Sequence, residues 1–164
     1  MLIIEDTRQQ VHDGDKHAAK HAWWEAHGVM VVRRALPFGD YVAETEDGTR
    51  PGNVAVDTKK DLAELSGDVF QGHRRFRDEL VRAADAGWRL YILVETRQCA
   101  DMDGLRRVRN VHPRARGVKP LPGGGVAKTC EGLARKYRAV FEFCDPRDSA
   151  RRICELLGVE YGKD

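Results

Sequence analysis

The chain has 164 residues, of which 41% are hydrophobic and 33% are charged, a balance typical of one folded domain and unlike that of a disordered chain. The net charge of +2 permits a nucleic-acid partner, but it is far from the strong positive charge of a protein that coats DNA. No apolar run approaches the roughly 20 residues of a membrane span, and Met1–Ile4 is too short for a secretory signal. The four cysteines show no CxxC spacing, so we expect reduced thiols and an intracellular location, in the cytoplasm or at the nucleoid.

Apolar runs bounded by glycine, proline and charged residues give the predicted elements in chain order. Strands are predicted at 2–4, 29–32, 41–45, 54–58, 88–94 and 139–143. Helices are predicted at 16–27, 61–65, 70–86, 126–138 and 146–157. Residues 101–125 are rich in Arg, Pro and Gly and are predicted to form a flexible basic loop with one helical turn. This order predicts an α/β fold, a mixed sheet flanked by helices, as a single domain over residues 1–164.

Charged residues stand at the ends of the third and fourth predicted strands. Side chains at positions i and i+2 of a strand point to the same face, so Asp57 and Lys59 project together while Thr58 turns away. If the two strands form a hairpin, Asp40 falls opposite Asp57 or within about two residues of it, and directly opposed residues lie ~5 Å apart. Two carboxylates this close repel each other unless a cation lies between them. The sequence therefore predicts an oxygen-rich site suited to Mg²⁺ or Mn²⁺.

These residues suit the hydrolysis of a phosphodiester bond. A bound metal ion polarises the phosphoryl oxygen and lowers the pKa of an attacking water, and a neighbouring lysine stabilises negative charge in the transition state. Asp40, Asp57 and Lys59 thus form a minimal set for a metal-dependent nuclease. On spacing alone, an exposed salt bridge on a solvated hairpin accounts for the same residues about equally well.

A resemblance to a known family covers most of the chain in the right order. Gly39-Asp40 followed by Val56-Asp57-Thr58-Lys59 resembles the GD…ERK…D signature of XPF-type nuclease domains, a branch of the PD-(D/E)xK superfamily. Ile3–Gln9 is similar to that family's first strand and its D-x-R-E motif. Tyr91–Glu95 resembles its central strand, which ends in a glutamate, and Val140–Cys144 resembles its last strand.

The resemblance implies a restriction-endonuclease-like fold and a DNA endonuclease that depends on Mg²⁺ or Mn²⁺. It implies that Asp40 and Asp57 bind metal and that Lys59 is the catalytic lysine. It adds Asp6 as a further catalytic and metal-binding acid, and Arg8 as a contact to a phosphate or to the leaving group. Branched or flap DNA is the implied substrate, in repair or recombination, and a homodimer is the implied assembly.

The chain departs from the family pattern at several positions. Asp57 replaces the usual glutamate, Thr58 replaces an arginine, and Gln9 replaces the glutamate of the D-x-R-E motif. The helix-hairpin-helix repeats that often accompany these nucleases are absent from the sequence, which implies a stand-alone form. The alternative function is a catalytically silent DNA-binding or dimerisation module of the same fold, but silent relatives usually lose the acids and the lysine that this chain retains.

Two further groups of residues are candidates for binding. A basic cluster at the start of the helix predicted at 70–86 could hold DNA phosphates, which would position a duplex without reading its sequence. The cluster comprises His73, Arg74, Arg75 and Arg77. His17 and His21 have the i, i+4 spacing that can chelate zinc, but the glutamate of an HExxH motif is missing, so a surface pair is the favoured interpretation.

Overall fold

The computed structural model describes residues 1–8, 14–71, 73–113 and 117–162. The strands are β1 Leu2–Glu5, β2 Val31–Arg33, β3 Tyr41–Glu44, β4 Val54–Lys59, β5 Arg89–Glu95 and β6 Val140–Cys144. The helices are α1 Gly14–Ala26, α2 Leu62–Phe70, α3 His73–Asp85, α4 Met102–Arg107, α5 Gly123–Tyr137 and α6 Ser149–Leu157. A 3₁₀ turn at Pro146–Asp148 leads into α6. The predicted α/β class is confirmed.

The six strands form one mixed sheet in the order β2-β1-β3-β4-β5-β6. Strand β3 is antiparallel to both β1 and β4, whereas β4, β5 and β6 run parallel to one another. The parallel connections require crossovers, which the helices after β4 and β5 supply. The predicted mixed sheet is therefore confirmed, with a single antiparallel strand, β3, at its centre.

Helices cover both faces of the sheet. On one face, α2 to α5 bury Leu65, Phe76 and Val126 against the sheet residues Ile92 and Val94. On the other face, α1 and α6 form a separate core around residues such as Trp24, Leu93 and Ile153. Strand β5 sends alternate side chains into both cores, which explains why its sequence is a nearly continuous apolar run.

The boundary between the helices predicted at 61–65 and 70–86 lies elsewhere in the structure. The prediction began a helix at Phe70, but Phe70 is the last residue of α2, and α3 begins at His73. The physical reason lies in the apolar spacing, since Leu62, Leu65 and Val69 fall on one helical face and are buried together. Asp61 begins α2 by accepting a hydrogen bond from the Glu64 N–H at 2.8 Å.

The segment predicted as a basic loop at 101–125 contains more regular structure than expected. Helix α4 lies within it, Val111 and Leu121 form an antiparallel bridge, and α5 begins at Gly123 rather than at 126. Glycine is required at Gly123 because a Cβ there would lie 2.0 Å from the backbone oxygen of Leu105. The glycines that predicted a loop therefore permit close packing of α5 on α4.

Some residues discussed in the sequence analysis lie outside the part of the chain that the structure describes. Gln9, which replaces the motif glutamate, lies outside the described residues, as do positions 114–116 of the basic segment. Among the described helices, none combines the length and apolar character needed to cross a membrane.

Candidate metal-binding and nuclease site

The end of β4 places a carboxylate and an ammonium group side by side in a cleft. Asp57 and Lys59 are only 5% and 6% exposed, and Lys59 Nζ lies 2.8 Å from Asp57 Oδ2. The alternative of an exposed salt bridge on a solvated hairpin is therefore wrong. Both side chains project from β4 on the same face, as the strand periodicity predicted.

Asp40 lies at the neighbouring end of β3. The pairing of Tyr41 with Val56 confirms the predicted register, whose next position sets Asp40 across from Asp57. The N–H of Asp40 donates to the backbone oxygen of Val56 at 2.8 Å. The preceding Gly39 has a φ of +69°, a left-handed turn that favours glycine and aims Asp40 into the cleft.

Thr58 corrects the prediction that its side chain turns away from the site. Its backbone N–H and its hydroxyl both donate to Asp40 Oδ2, at 2.7 Å and 2.6 Å. These two donors fix the orientation of the Asp40 carboxylate. Sequence reasoning missed this contact because strict strand alternation does not apply across the turn in which Asp40 lies.

The environment of Asp57 disfavours the ionised form of its carboxyl group. Burial raises the pKa of Asp57 well above its usual value, and the nearby charges of Asp40 and Glu79 raise it further, against an opposing effect of Lys59. Within the described residues, Asp57 Oδ2 accepts no hydrogen bond of good geometry despite the proximity of Lys59. A buried anionic oxygen of this kind favours a cation as its partner.

Lys59 is held in its charged form by two acids. Burial alone lowers the pKa of a lysine, but Asp57 and Asp68 outweigh burial and raise the pKa of Lys59 above its usual value. Asp68, from α2, lies 2.7 Å from Lys59 Nζ. The ammonium also lies 4.9 Å from the ring centroid of Phe76. Lys59 is therefore a fixed positive charge in the cleft.

Asp6 lines the cleft and accepts hydrogen bonds from neighbouring residues. Its Oδ2 accepts a hydrogen bond from Arg8 Nε at 2.7 Å, and its Oδ1 accepts from the N–H groups of Arg8 and Leu36 at 3.2 Å and 3.3 Å. Burial alone raises the pKa of Asp6, but these donors outweigh burial and lower it. Arg8 also donates to the backbone oxygen of Leu36. Asp6 therefore anchors Arg8 and the chain before β3.

One face of α3 contributes Arg75, which the sequence predicted to bind DNA, together with Glu79 and Arg82, which it did not single out. Arg75, Glu79 and Arg82 follow helical spacing and line the cleft. Glu79 Oε1 accepts a hydrogen bond from the N–H of Gly39 at 2.8 Å, which joins α3 to the turn before Asp40. Of the predicted basic cluster, only Arg75 lines the cleft. The remaining members of the cluster are exposed and lie outside the cleft, namely His73, Arg74 and Arg77.

The cleft measures about 750 Å³ and lies where β1, β3, β4 and α1 to α3 meet. Charged side chains of both signs line it. Its carboxylates belong to Asp6, Asp40, Asp57, Glu64, Asp68, Glu79 and Glu95. Its basic groups belong to Arg8, Lys20, Lys59, Lys60, Arg75 and Arg82. The central acids can hold a divalent cation, and the arginines can hold an anion beside it.

The donor set fits a hard divalent cation. Asp40 and Asp57 offer oxygen atoms from adjacent strand ends, and the buried Asp57 carboxylate lies among other acids with Lys59 as its nearest positive partner. Glu79 lies close enough to Asp57 to raise the pKa of that carboxyl. It also lines the cleft, so it is a third candidate ligand. Oxygen ligands of this type select Mg²⁺ or Mn²⁺ over softer metals.

A second cluster lies at the edge of the cleft. The sequence favoured His17 and His21 as a surface pair. In the structure both rings contact the carboxylate of Glu5, which is 0% exposed. His17 Nε2 lies 2.5 Å from Glu5 Oε1, and His21 Nε2 lies 3.2 Å from Glu5 Oε2. The i, i+4 spacing signalled that the histidines share a face, but the acid comes from β1 and could not be assigned from sequence.

The fold is similar to that of a solved protein, XPF from Aeropyrum pernix. Two solved structures of XPF from Aeropyrum pernix match with a TM-score of 0.62, one at 20% identity and the other, a complex with DNA, at 19%. Each match covers 96% of this chain but only 63% of the neighbour, so the chain spans less than two thirds of that protein. No protein-family model and no curated protein sequence matches the chain.

Proposed function

We propose that this chain is a nuclease that uses Mg²⁺ or Mn²⁺ to hydrolyse phosphodiester bonds in DNA. The observation that carries the proposal is the buried carboxylate of Asp57, which lies beside Asp40 and a charged Lys59 and has an oxygen without a well-aligned donor. Burying a charge in such a place costs free energy, and groups buried in this way cluster at functional sites. The same fold in a protein crystallised with DNA supports a nucleic-acid substrate.

The chain's own residues would divide the work. A divalent ion held by Asp40 and Asp57 would polarise a phosphoryl oxygen and lower the pKa of a bound water. Thr58 holds one oxygen of Asp40, which leaves the other oxygen directed to the cleft. Because two acids keep Lys59 protonated, its role is to stabilise charge in the transition state and not to act as a general base.

Arg75 and Arg82 are the proposed contacts to the DNA backbone. No carboxylate among the described residues pairs with either guanidinium, and both reach the cleft from α3. Arg8 lies closer to the acids, although its contact with Asp6 restrains it. Branched or flap DNA and a homodimer remain parts of this proposal that follow from the sequence resemblance, and an intracellular location follows from the cysteine pattern.

A cleavage assay tests the proposal directly. Labelled flap, splayed-arm and duplex DNA are incubated with the protein in Mn²⁺ or in EDTA, beside Asp57→Asn and Asp40→Asn. We expect Mn²⁺-dependent cleavage by the wild type, and a loss of at least about 100-fold in each variant. Equal cleavage by wild type and variants would indicate a contaminating nuclease. No cleavage of any substrate, with DNA binding retained, would favour the silent DNA-binding module.

The backbone contacts are tested by a pair of matched double variants. Replacing Arg75 and Arg82 with glutamine should weaken duplex binding and reduce the slope of log K against log salt by about 2, because each phosphate contact contributes about 0.9. The control replaces Arg74 and Arg77, which carry the same charge on the same helix but lie outside the cleft. Equal slopes for the two double variants would contradict the assignment.

A further inference from the structure

Glu5, His17 and His21 bring three metal-binding atoms together outside the proposed nuclease residues. His17 and His21 lie one turn apart on α1, and their rings are 4.6 Å apart between centroids. Both direct Nε2 toward the carboxylate of Glu5 on β1. One ligand atom from each of the three residues lies within 4.8 Å of the others.

We propose that this cluster is a binding site for a transition-metal ion of the Zn²⁺ or Co²⁺ type. Two imidazole nitrogens and one carboxylate suit such ions and differ from the all-oxygen set at Asp40 and Asp57. Tetrahedral ligands at ~2.0–2.1 Å from zinc lie ~3.3 Å apart. His21 Nε2 already lies 3.4 Å and 3.2 Å from the two Glu5 oxygens, so this pair needs little movement.

The contact of His17 with Glu5 shows what an ion would replace. The 2.5 Å between His17 Nε2 and Glu5 Oε1 is the length of a hydrogen bond and requires a proton between the two atoms. A metal ion would take the place of that proton and separate the two atoms by roughly 0.8 Å, toward the ligand spacing of zinc. Binding should therefore replace this hydrogen bond with one bond from each residue to the ion.

Arg33 is the one charged side chain that opposes the site in the structure as described. Its Nε lies 3.3 Å from Glu5 Oε2, and its side chain is 39% exposed. Because it is on the edge strand β2, it can turn toward solvent when an ion binds. Removing its charge should strengthen metal binding, whereas a purely structural ion pair between Arg33 and Glu5 predicts no such gain.

The ion would lie at the border of the cleft. His17 lines the cleft together with Asp40 and Asp57, whereas Glu5 and His21 lie behind it. Three protein ligands leave a coordination position for water or for an anion such as a phosphate oxygen. This site is independent of the proposed nuclease function and can be tested whether or not the chain cleaves DNA.

Metal binding is measured by calorimetry with Zn²⁺ and by the visible absorption of added Co²⁺, on the full chain. His17→Ala and His21→Ala should each weaken binding by more than about 100-fold, since outer partners of a ligand alone contribute about 10–100-fold. Alanine suits a helix, so both variants should fold. His112→Ala, which removes an exposed histidine elsewhere, is the matched control and should bind as the wild type does.

Two further variants separate this site from the one at Asp40 and Asp57. Asp57→Asn should leave Zn²⁺ affinity within about threefold of wild type, and Arg33→Gln should raise it. The proposal is overturned if His21→Ala binds Zn²⁺ as tightly as His112→Ala does. It is equally overturned if Asp57→Asn abolishes the Co²⁺ absorption, which would assign the ion to the nuclease residues.

Discussion

Replacing Asp57 with asparagine should stabilise the metal-free protein. The amide keeps the size of the side chain and removes its charge. In the wild type, burial and the charges of Asp40 and Glu79 raise the pKa of Asp57, although Lys59 opposes them. An acid whose pKa is raised by folding contributes stability when protonated and loses that contribution as the pH rises through the folded-state pKa. Once ionised, the carboxylate therefore costs stability, and the variant removes that cost.

The magnitude follows from opposing terms. Over 2.8 Å, Lys59 attracts Asp57 by about 6 kcal/mol at an effective dielectric constant of ~20. Against this, desolvation of the carboxylate costs several kcal/mol, and repulsion by Asp40 at ~5 Å adds about 3 kcal/mol. Lys59 keeps Asp68 at 2.7 Å in the variant, so no ammonium is left unpaired. We expect a gain of about 1–2 kcal/mol and a rise in Tm of about 2–8 °C.

Urea denaturation in EDTA measures the effect. The gain should shrink as the pH falls through the raised pKa of Asp57 toward the ordinary value of 3.8, because wild-type Asp57 then binds its proton. Mn²⁺ at about 100 times its Kd should add about 2.7 kcal/mol to the wild type alone, which reverses the order of stability. Asp68→Asn is the control and should not stabilise. Refutation would be an Asp57→Asn protein no more stable than wild type in EDTA, or a gain that grows in acid.

Three further predictions concern neighbouring residues. Lys59→Met should lower single-turnover cleavage about 10²–10³-fold with Mn²⁺ affinity nearly unchanged, and a parallel loss of affinity by calorimetry would contradict a role in the transition state. Thr58→Val removes the 2.6 Å hydrogen bond to Asp40 and should weaken Mn²⁺ binding about 10-fold, whereas unchanged affinity by calorimetry would make the hydroxyl dispensable. Gly39→Ala, at a φ of +69° and with its Cβ 3.2 Å from Val56 O, should cost about 1–2 kcal/mol in urea denaturation, and a neutral result would count against strain there.

The residues of the proposed site that the sequence predicted share a local origin. Asp57 and Lys59 lie on one strand, and a single hairpin register brings Asp40 to them. Strand periodicity and hairpin pairing act over a few residues, so both can be read from a short stretch of sequence. The family resemblance then distinguished a site from a surface salt bridge, and burial in the structure agrees with that choice.

Side chains that the sequence did not predict depend on how distant elements pack. Asp68 and Glu79 reach the cleft because α2 and α3 lie across one face of the sheet, an arrangement set by their apolar faces and not by the acids. For the same reason, the face of α3 that lines the cleft carries Arg75 and Arg82, so the cleft receives only one member of the predicted basic cluster. Glu5 could not be assigned to the histidines of α1 without the crossing of β1 and α1.

The distribution of buried charge supports the proposed site at the ends of β3 and β4. Of the buried polar and charged residues, five line the cleft, namely Asp6, Lys20, Asp57, Lys59 and Glu95. Lys20 Nζ lies 2.5 Å from Glu95 Oε1, so these two charged groups pair with each other and are largely shielded from solvent. Apolar residues would fill such positions more stably. A fold that retains buried charge at these strand ends, while both cores remain apolar, is what the proposed site would require.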